Sequence, residues 1–152
     1  MAEPGQIGRN ARLMTGFVAA INSADLDTLS EYLTEDAILD WPQSGERVRG
    51  VANFRNILIG YPGREAFGFQ SEAVMLAGEE PHYVMTPTLN LVRVQGSGDN
   101  PVFVARIHYP DGSTWYMIAF TTIRDDKIAR QTAYFAPEYP APEWRTGWVE
   151  KI

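Results

Sequence analysis

The sequence predicts an α+β domain, on three observations. Apolar residues recur at helical spacing over the first sixty positions. Long runs rich in β-branched and aromatic residues fill the stretch from about 83 to 135. The links between those runs are short and carry turn residues. Helices first and strands later favour helices packed on one face of an antiparallel sheet.

The first helix follows from Ile7, Ala11, Met14, Val18 and Ile21, which recur at steps of four and three, with Phe17 beside Met14 and Ile21. Asn22-Ser23-Ala24-Asp25 breaks that pattern and offers capping side chains for a second helix carrying Leu26, Leu29 and Leu33. A short strand, Ala37 to Trp41, is stopped by Pro42, and Gln43-Ser44-Gly45 reads as a turn. Gly50 precedes a third helix with Phe54, Ile57, Leu58 and Tyr61 on its apolar side, ended by Pro62-Gly63. Strands are then expected near Tyr83–Gln95, Val102–Tyr109, Ser113–Ile123 and Ile128–Phe135. Gly96-Ser97-Gly98-Asp99-Asn100, Asp111-Gly112 and Asp125-Asp126 link them, which implies a meander. The tail, 136–152, is expected to pack on its own domain, so residues 1–152 form one domain.

Composition narrows the function. The chain has 152 residues, 45% of them hydrophobic, enough for a real core. Its net charge of −6 opposes a nucleic acid backbone and an anionic membrane surface. It has no cysteine, which removes disulfides and thiolate chemistry. No basic, apolar leader stands at the start and no run approaches a membrane span, so the expected compartment is the cytoplasm. His82 and His108 lie on different strands without metal-ligand spacing, and no phosphate loop opens a helix. No cofactor or metal is expected.

Hairpin arithmetic supplies a candidate site. A two-residue turn at Asp111-Gly112 would set His108 opposite Trp115, Arg106 opposite Met117 and Val104 opposite Ala119, all on one face. His108 is then the candidate general acid or base, because imidazole exchanges protons near neutral pH. Arg106 would hold an oxygen that gains negative charge. The blander readings are a hydrogen-bonded histidine and a paired arginine. The other face would carry Phe103, Ala105, Ile107, Tyr109, Tyr116, Ile118 and Phe120. Two apolar faces need two covers, so a homodimer is expected through Phe103, Ile107, Ile118 and Phe120. At Asp125-Asp126 a two-residue turn would turn Thr132 and Tyr134 toward the Trp115 face. A three-residue loop would turn Gln131, Ala133 and Phe135 there.

The segments Ala24-Asp25-Leu26-Asp27, Trp41 to Gly50, Tyr109 to Trp115, Tyr134-Phe135 and Pro142-Glu143-Trp144-Arg145 resemble, in order and spacing, proteins of the SnoaL-like, nuclear transport factor two-like superfamily. The resemblance implies a cone: a strongly curved, antiparallel-rich sheet closed by three N-terminal helices around a central pocket. It favours the three-residue loop at Asp125-Asp126. It implies a pocket made by Phe17, Leu39, Trp41, Phe54, Leu58 and Tyr61, with Val104, Trp115, Met117, Ala119, Gln131, Ala133 and Phe135 from the sheet. The base, oxyanion tyrosine and protonated aspartate of ketosteroid isomerases fall at Trp41, Phe17 and Ala119. The acid of limonene epoxide hydrolases and SnoaL-type cyclases falls at Ala133. Asp40 stands one residue before Trp41 and points to the opposite face. The implied role is to bind a small apolar or aromatic molecule, with cofactor-free isomerisation, dehydration or aldol cyclisation if the protein is an enzyme. The alternative is a non-catalytic ligand-binding or dimerisation module.

Overall fold

A computed structural model describes residues 4–23, 25–61, 88–109 and 112–152. The expected strand start at Tyr83, the helix stop at Pro62-Gly63 and His82 lie outside these residues. Helix α1 (Pro4–Asn22) runs first, then a 3-10 turn (Leu26–Glu31), β1 (Leu33–Trp41), β2 (Glu46–Arg49) and α2 (Val51–Ile59). After the intervening segment come β3 (Thr88–Gln95), β4 (Val102–His108), β5 (Thr114–Arg124) and β6 (Lys127–Pro137). A second 3-10 turn spans Glu143–Arg145. The strand order is β2-β1-β6-β5-β4-β3. All pairs are antiparallel except β1 with β6, which is parallel. The expected α+β fold with a curved, antiparallel-rich sheet is present.

Three elements differ from expectation. The second helix is a six-residue 3-10 turn, Leu26 and Leu29 sharing its buried side. Leu33 belongs instead to β1, where it pairs with Ile128. A 3-10 turn repeats every three residues, so Leu26 and Leu29 align and the helix needs no third leucine. The Gln43-Ser44-Gly45 turn opens a hairpin, in which β2 pairs Trp41 with Glu46.

The core lies between α1, α2 and the inner face of the sheet. Met14, Phe17, Val18 and Ile21 are buried along one side of α1. Phe17 stacks on Phe54 at 6.2 Å and meets Phe103 edge-on at 6.4 Å. A side chain of that size contributes about 1.5–3 kcal/mol when fully buried. Gly16 lets α1 approach the 3-10 turn: a Cβ there would stand 2.2 Å from the Tyr32 ring. Asn10, wholly buried, donates its amide to the carbonyls of Gly96 and Gly98 at 2.9 and 3.1 Å. It ties the helix to the β3–β4 link. Asn22 does the same at the other end: it donates to Leu89 O at 2.8 Å and accepts from Leu89 N at 3.0 Å.

The β4–β5 hairpin decides which side chains enter the interior. Tyr109 N donates to Ser113 O and Gly112 N to Tyr109 O, each at 3.0 Å. Tyr109 and Ser113 therefore close a loop of three residues, one more than the two-residue count supposed. Pro110 has no N–H with which to close the shorter turn. Gly112 supplies the positive φ, +85°, that the last position of such a loop requires. The register becomes Ile107 opposite Trp115, Ala105 opposite Met117 and Phe103 opposite Ala119. His108, Arg106 and Val104 pair with Thr114, Tyr116 and Ile118 on the outer face. The sequence-based phase was right for β5 and inverted for β4.

The β5–β6 hairpin reaches the expected phase by another route. Asp125 and Asp126 form a two-residue turn, both at positive φ, joining Arg124 to Lys127. Ile123 pairs with Ile128 and Thr122 with Arg130, so Ala129 is an extra residue in the ladder. That bulge shifts β6 by one position, as the longer loop would have done. Gln131, Ala133 and Phe135 then stand opposite Thr121, Ala119 and Met117 on the inner face.

Candidate functional site

The inner face and the helices enclose a cavity of about 390 Å³. Phe17 and Ile21 reach it from α1, and Phe54, Ile57 and Leu58 from α2, followed by Tyr61. Leu39 and Trp41 come from β1, with Gln43 and Ser44 from the turn after it. Leu89, Ile107 and Tyr109 supply one side of the sheet wall, and Trp115, Met117, Gln131 and Phe135 the other.

Of the residues expected to line a pocket, Phe17, Leu39, Trp41, Phe54, Leu58, Tyr61, Trp115, Met117, Gln131 and Phe135 border this cavity. Ala119 and Ala133 face inward and are buried at 0% and 1%, without bordering the open space. Val104 lies outside, because the β4 register differs. Sequence reasoning missed Ile21, Gln43, Ser44, Ile57, Leu89, Ile107 and Tyr109, two of them because of the β4 register. Ile107 and Tyr109 enter because Ile107 pairs with Trp115. Ile21 sits one helical turn after Phe17, a signal that was present and not used for the lining.

The walls are apolar and their rim is aromatic. Tyr61 and Tyr109 stack with centroids 6.5 Å apart, and Tyr109 meets Trp115 edge-on at 6.2 Å. The Trp115 indole donates to Ser113 Oγ at 3.1 Å. Gln43 is spent on the backbone of β6: its Nε2 donates to Phe135 O at 2.6 Å, and Phe135 N donates to its Oε1 at 2.5 Å. This amide stands in for a strand neighbour and fixes the turn after Trp41 against Phe135. Ser44 Oγ donates to Trp41 O at 3.3 Å.

Gln131 is a buried polar group in the wall. Its side chain is buried, at 2% exposure, and donates to Thr121 Oγ1 at 3.5 Å. Hydrogen bonds of this kind are normally 2.7–3.2 Å. The amide therefore keeps most of its hydrogen-bonding capacity while facing the cavity. Among the described lining residues there is no carboxylate, imidazole, ammonium or guanidinium group.

The two residues expected to be catalytic do not enter this space. His108 Nδ1 stands 3.2 Å from Thr114 Oγ1 on the outer face. Arg106 donates to Glu138 Oε1 from Nη2 at 2.8 Å and from Nε at 3.2 Å. The Tyr116 hydroxyl donates to the same oxygen at 3.1 Å. The one-residue difference at the loop moved both to the far side of β4. Asp40 also faces away from the cavity, between Arg47 (Oδ1–Nε 2.6 Å) and Arg130 (Oδ2–Nη2 2.9 Å). The Arg47 guanidinium first, then Arg130, holds its carboxyl below the usual aspartate range. Among the described residues no cluster of His, Asp or Glu is arranged to hold a metal ion.

Similar folds share this architecture. A nuclear transport factor two-like protein of unknown function from Burkholderia xenovorans LB400 is 26% identical, with a TM-score of 0.73 over 97% of this chain and 98% of that one. A protein from Kribbella flavida DSM 17836, provisionally named a ketosteroid isomerase, is 19% identical, with a TM-score of 0.69 over 95% of this chain and 90% of its own. One from Sinorhizobium meliloti, provisionally named a polyketide cyclase, is 21% identical, with a TM-score of 0.54 over 80% of this chain and 93% of its own. The last two share the fold alone. No curated protein sequence matches. The family of SnoaL-like domains matches residues 14–131, most of the chain, and this protein belongs to it.

Proposed function

We propose that this protein binds one small, uncharged, largely apolar or aromatic molecule in the cavity, with the Gln131 amide hydrogen-bonding its polar group. The observation that carries this reading is an apolar cavity of about 390 Å³ with one buried, under-committed amide in its wall. Ligand pockets commonly measure about 300–1,000 Å³ and set a few polar groups in an apolar lining. A charged ligand would lose its hydration with no opposite charge among the described lining residues to replace it.

Binding without acid–base catalysis is favoured over an enzyme. The positions that carry carboxylates in ketosteroid isomerases and epoxide hydrolases are Trp41, Ala119 and Ala133 here, and His108 and Arg106 lie outside. Isomerase or cyclase chemistry at this site would depend on neutral hydrogen bonds and on how the walls fold the substrate. A second copy of the chain is the natural cover for the outer sheet face. Ile118, Phe120 and Tyr134 are 37%, 52% and 42% exposed there. Phe103 and Ile107, expected in that interface, are buried in the interior, at 0% and 2% exposure.

The test is extraction of the purified protein into organic solvent, mass spectrometry of the extract, and titration of the emptied protein with the compound found. A neutral apolar compound is expected, bound with equal affinity by wild type and His108→Ala. Recovery of a carboxylate or phosphate, or loss of binding in His108→Ala, would overturn the reading.

A further inference from the structure

The large apolar side chains of the tail stand exposed in the single chain. Tyr139 is 75% exposed, Trp144 74%, Trp148 83% and Val149 53%. Sequence reasoning expected this segment to pack on its own domain; in the single chain these four side chains find no cover. Exposed tryptophans in such numbers mark a surface that something else covers.

The tail's starting point and direction are fixed. Glu138 N donates to Thr114 O at 2.9 Å. Its carboxylate is held by Arg106 and Tyr116, both on the outer face. The chain therefore leaves the domain on the side away from the cavity. Pro140 and Pro142 follow, Pro142 extended at φ −63° and ψ 136°, before the 3-10 turn at Glu143–Arg145. An arm anchored there is badly placed to cover its own cavity.

Area indicates what covers it. A stable interface takes about 800 Å² from each partner, roughly 60% of it apolar, or about 480 Å². Ile118, Phe120 and Tyr134, at their observed exposures, offer roughly 250–300 Å² with large side chains taken at about 150–250 Å² each. That falls short. On the same basis Tyr139, Trp144, Trp148 and Val149 add on the order of 600 Å². These three side chains and the tail together exceed the need; the three alone do not.

We propose that residues 139–152 are an exchanged arm. In a two-fold dimer of this chain, each protomer's Tyr139, Trp144 and Trp148 lie on the partner's outer face around Phe120 and Tyr134. Two-fold symmetry makes each arm–face contact twice, so one sequence feature closes both halves of the interface. This rests on the dimer reading above and adds that the dimer depends on its tails.

The test is sedimentation equilibrium, from nanomolar to about 100 µM, on the full chain, on the chain ended after Glu138, and on Trp144→Ala/Trp148→Ala. Circular dichroism and binding of an apolar fluorescent probe in the cavity check folding. Each altered tail should raise the dimer dissociation constant about 100-fold or more, the loss expected of two central aromatic contacts. The chain has no cysteine, so a Phe120→Cys protein mixed with a Trp144→Cys protein should be joined as a heterodimer by a short bismaleimide. A tight dimer that survives both tail changes overturns the arm and leaves the dimer. A monomeric full chain overturns both. Tail removal that alters probe binding without altering mass makes the tail a lid and overturns the arm.

Discussion

Replacing Gln131 by Met separates a group kept for folding from one kept for a ligand. The two side chains are similar in length and volume, so packing should change little. The amide's one side-chain partner is Thr121 Oγ1, at 3.5 Å. A bond that long should contribute no more than about 0.5 kcal/mol. Keeping an amide out of water without good partners costs about 1–3 kcal/mol. The relief outweighs the loss, so Gln131→Met should leave stability unchanged or raise it by up to about 2 kcal/mol. The double variant Gln131→Met/Thr121→Val removes both polar groups and should be at least as stable as wild type. Affinity for a ligand bonded to the amide should fall about 10–100-fold, since its polar group would be buried without a partner. Urea unfolding and titration of the extracted ligand read the two effects separately. A loss above about 2 kcal/mol in both variants, or unchanged affinity, would refute the assignment of Gln131 to the ligand.

Trp41 is half-buried with a face on the cavity, so Trp41→Ala should cost about 1.5–3 kcal/mol, less than for a fully enclosed tryptophan; a loss under about 0.5 kcal/mol in urea unfolding would contradict its place in the wall. Asp40 has a folded pKa below its ordinary 3.8, so its ion pairs stabilise the protein above that pH and are lost as pH falls through the folded value. Asp40→Asn should lower stability at pH 7 by about 1 kcal/mol and flatten its decline below about pH 4; an unchanged acid limb would show that the two arginines do not stabilise the carboxylate.

How much of this was legible depended on how local each determinant is. Met14, Phe17 and Ile21 declare the buried side of α1 because one helix turn fixes their relation. Alternation puts Trp115, Met117 and Ala119 on one face of β5, but Tyr116, Ile118 and Phe120 opposite are as apolar, so it does not by itself say which face is inner. The parallel pairing of β1 with β6 joins Leu39 to Gln131 across most of the chain, and no turn residue marks it. The four-residue β2 is too short for a pattern. In β4 alternation favours Phe103, Ala105 and Ile107 as the inward set over Val104, Arg106 and His108, but the phase was taken from the loop count. In β6 the turn was short and the bulge at Ala129 restored the phase, so the right face came with the wrong loop. Gln131 was found because β6 came out right. His108 and Arg106 were misplaced because β4 did not.

That β4 phase can be tested against the force that sets it. A two-residue loop at Asp111-Gly112 would be sterically reasonable, and loop preferences differ by about 1 kcal/mol. Inverting β4, however, would expose Phe103 and Ile107, each contributing about 1.5–3 kcal/mol where they are. It would also turn Arg106 and His108 into an apolar interior at a further cost of several kcal/mol. Burial outweighs loop preference, so the strand keeps its face and the loop must be three residues long. Gly112 meets the one backbone demand of that loop, at φ +85°. Gly112→Val should therefore cost about 1–2 kcal/mol, the penalty for a side chain in the left-handed region, with ligand affinity unchanged. Deleting Asp111 should cost at least about 3 kcal/mol, because the shortened loop must either strain or invert the strand. Urea unfolding of both variants, with the cavity ligand as reporter, measures this directly. A deletion variant as stable as the parent would mean that β4 tolerates either face. His108 and Arg106 would then return as candidates for the interior.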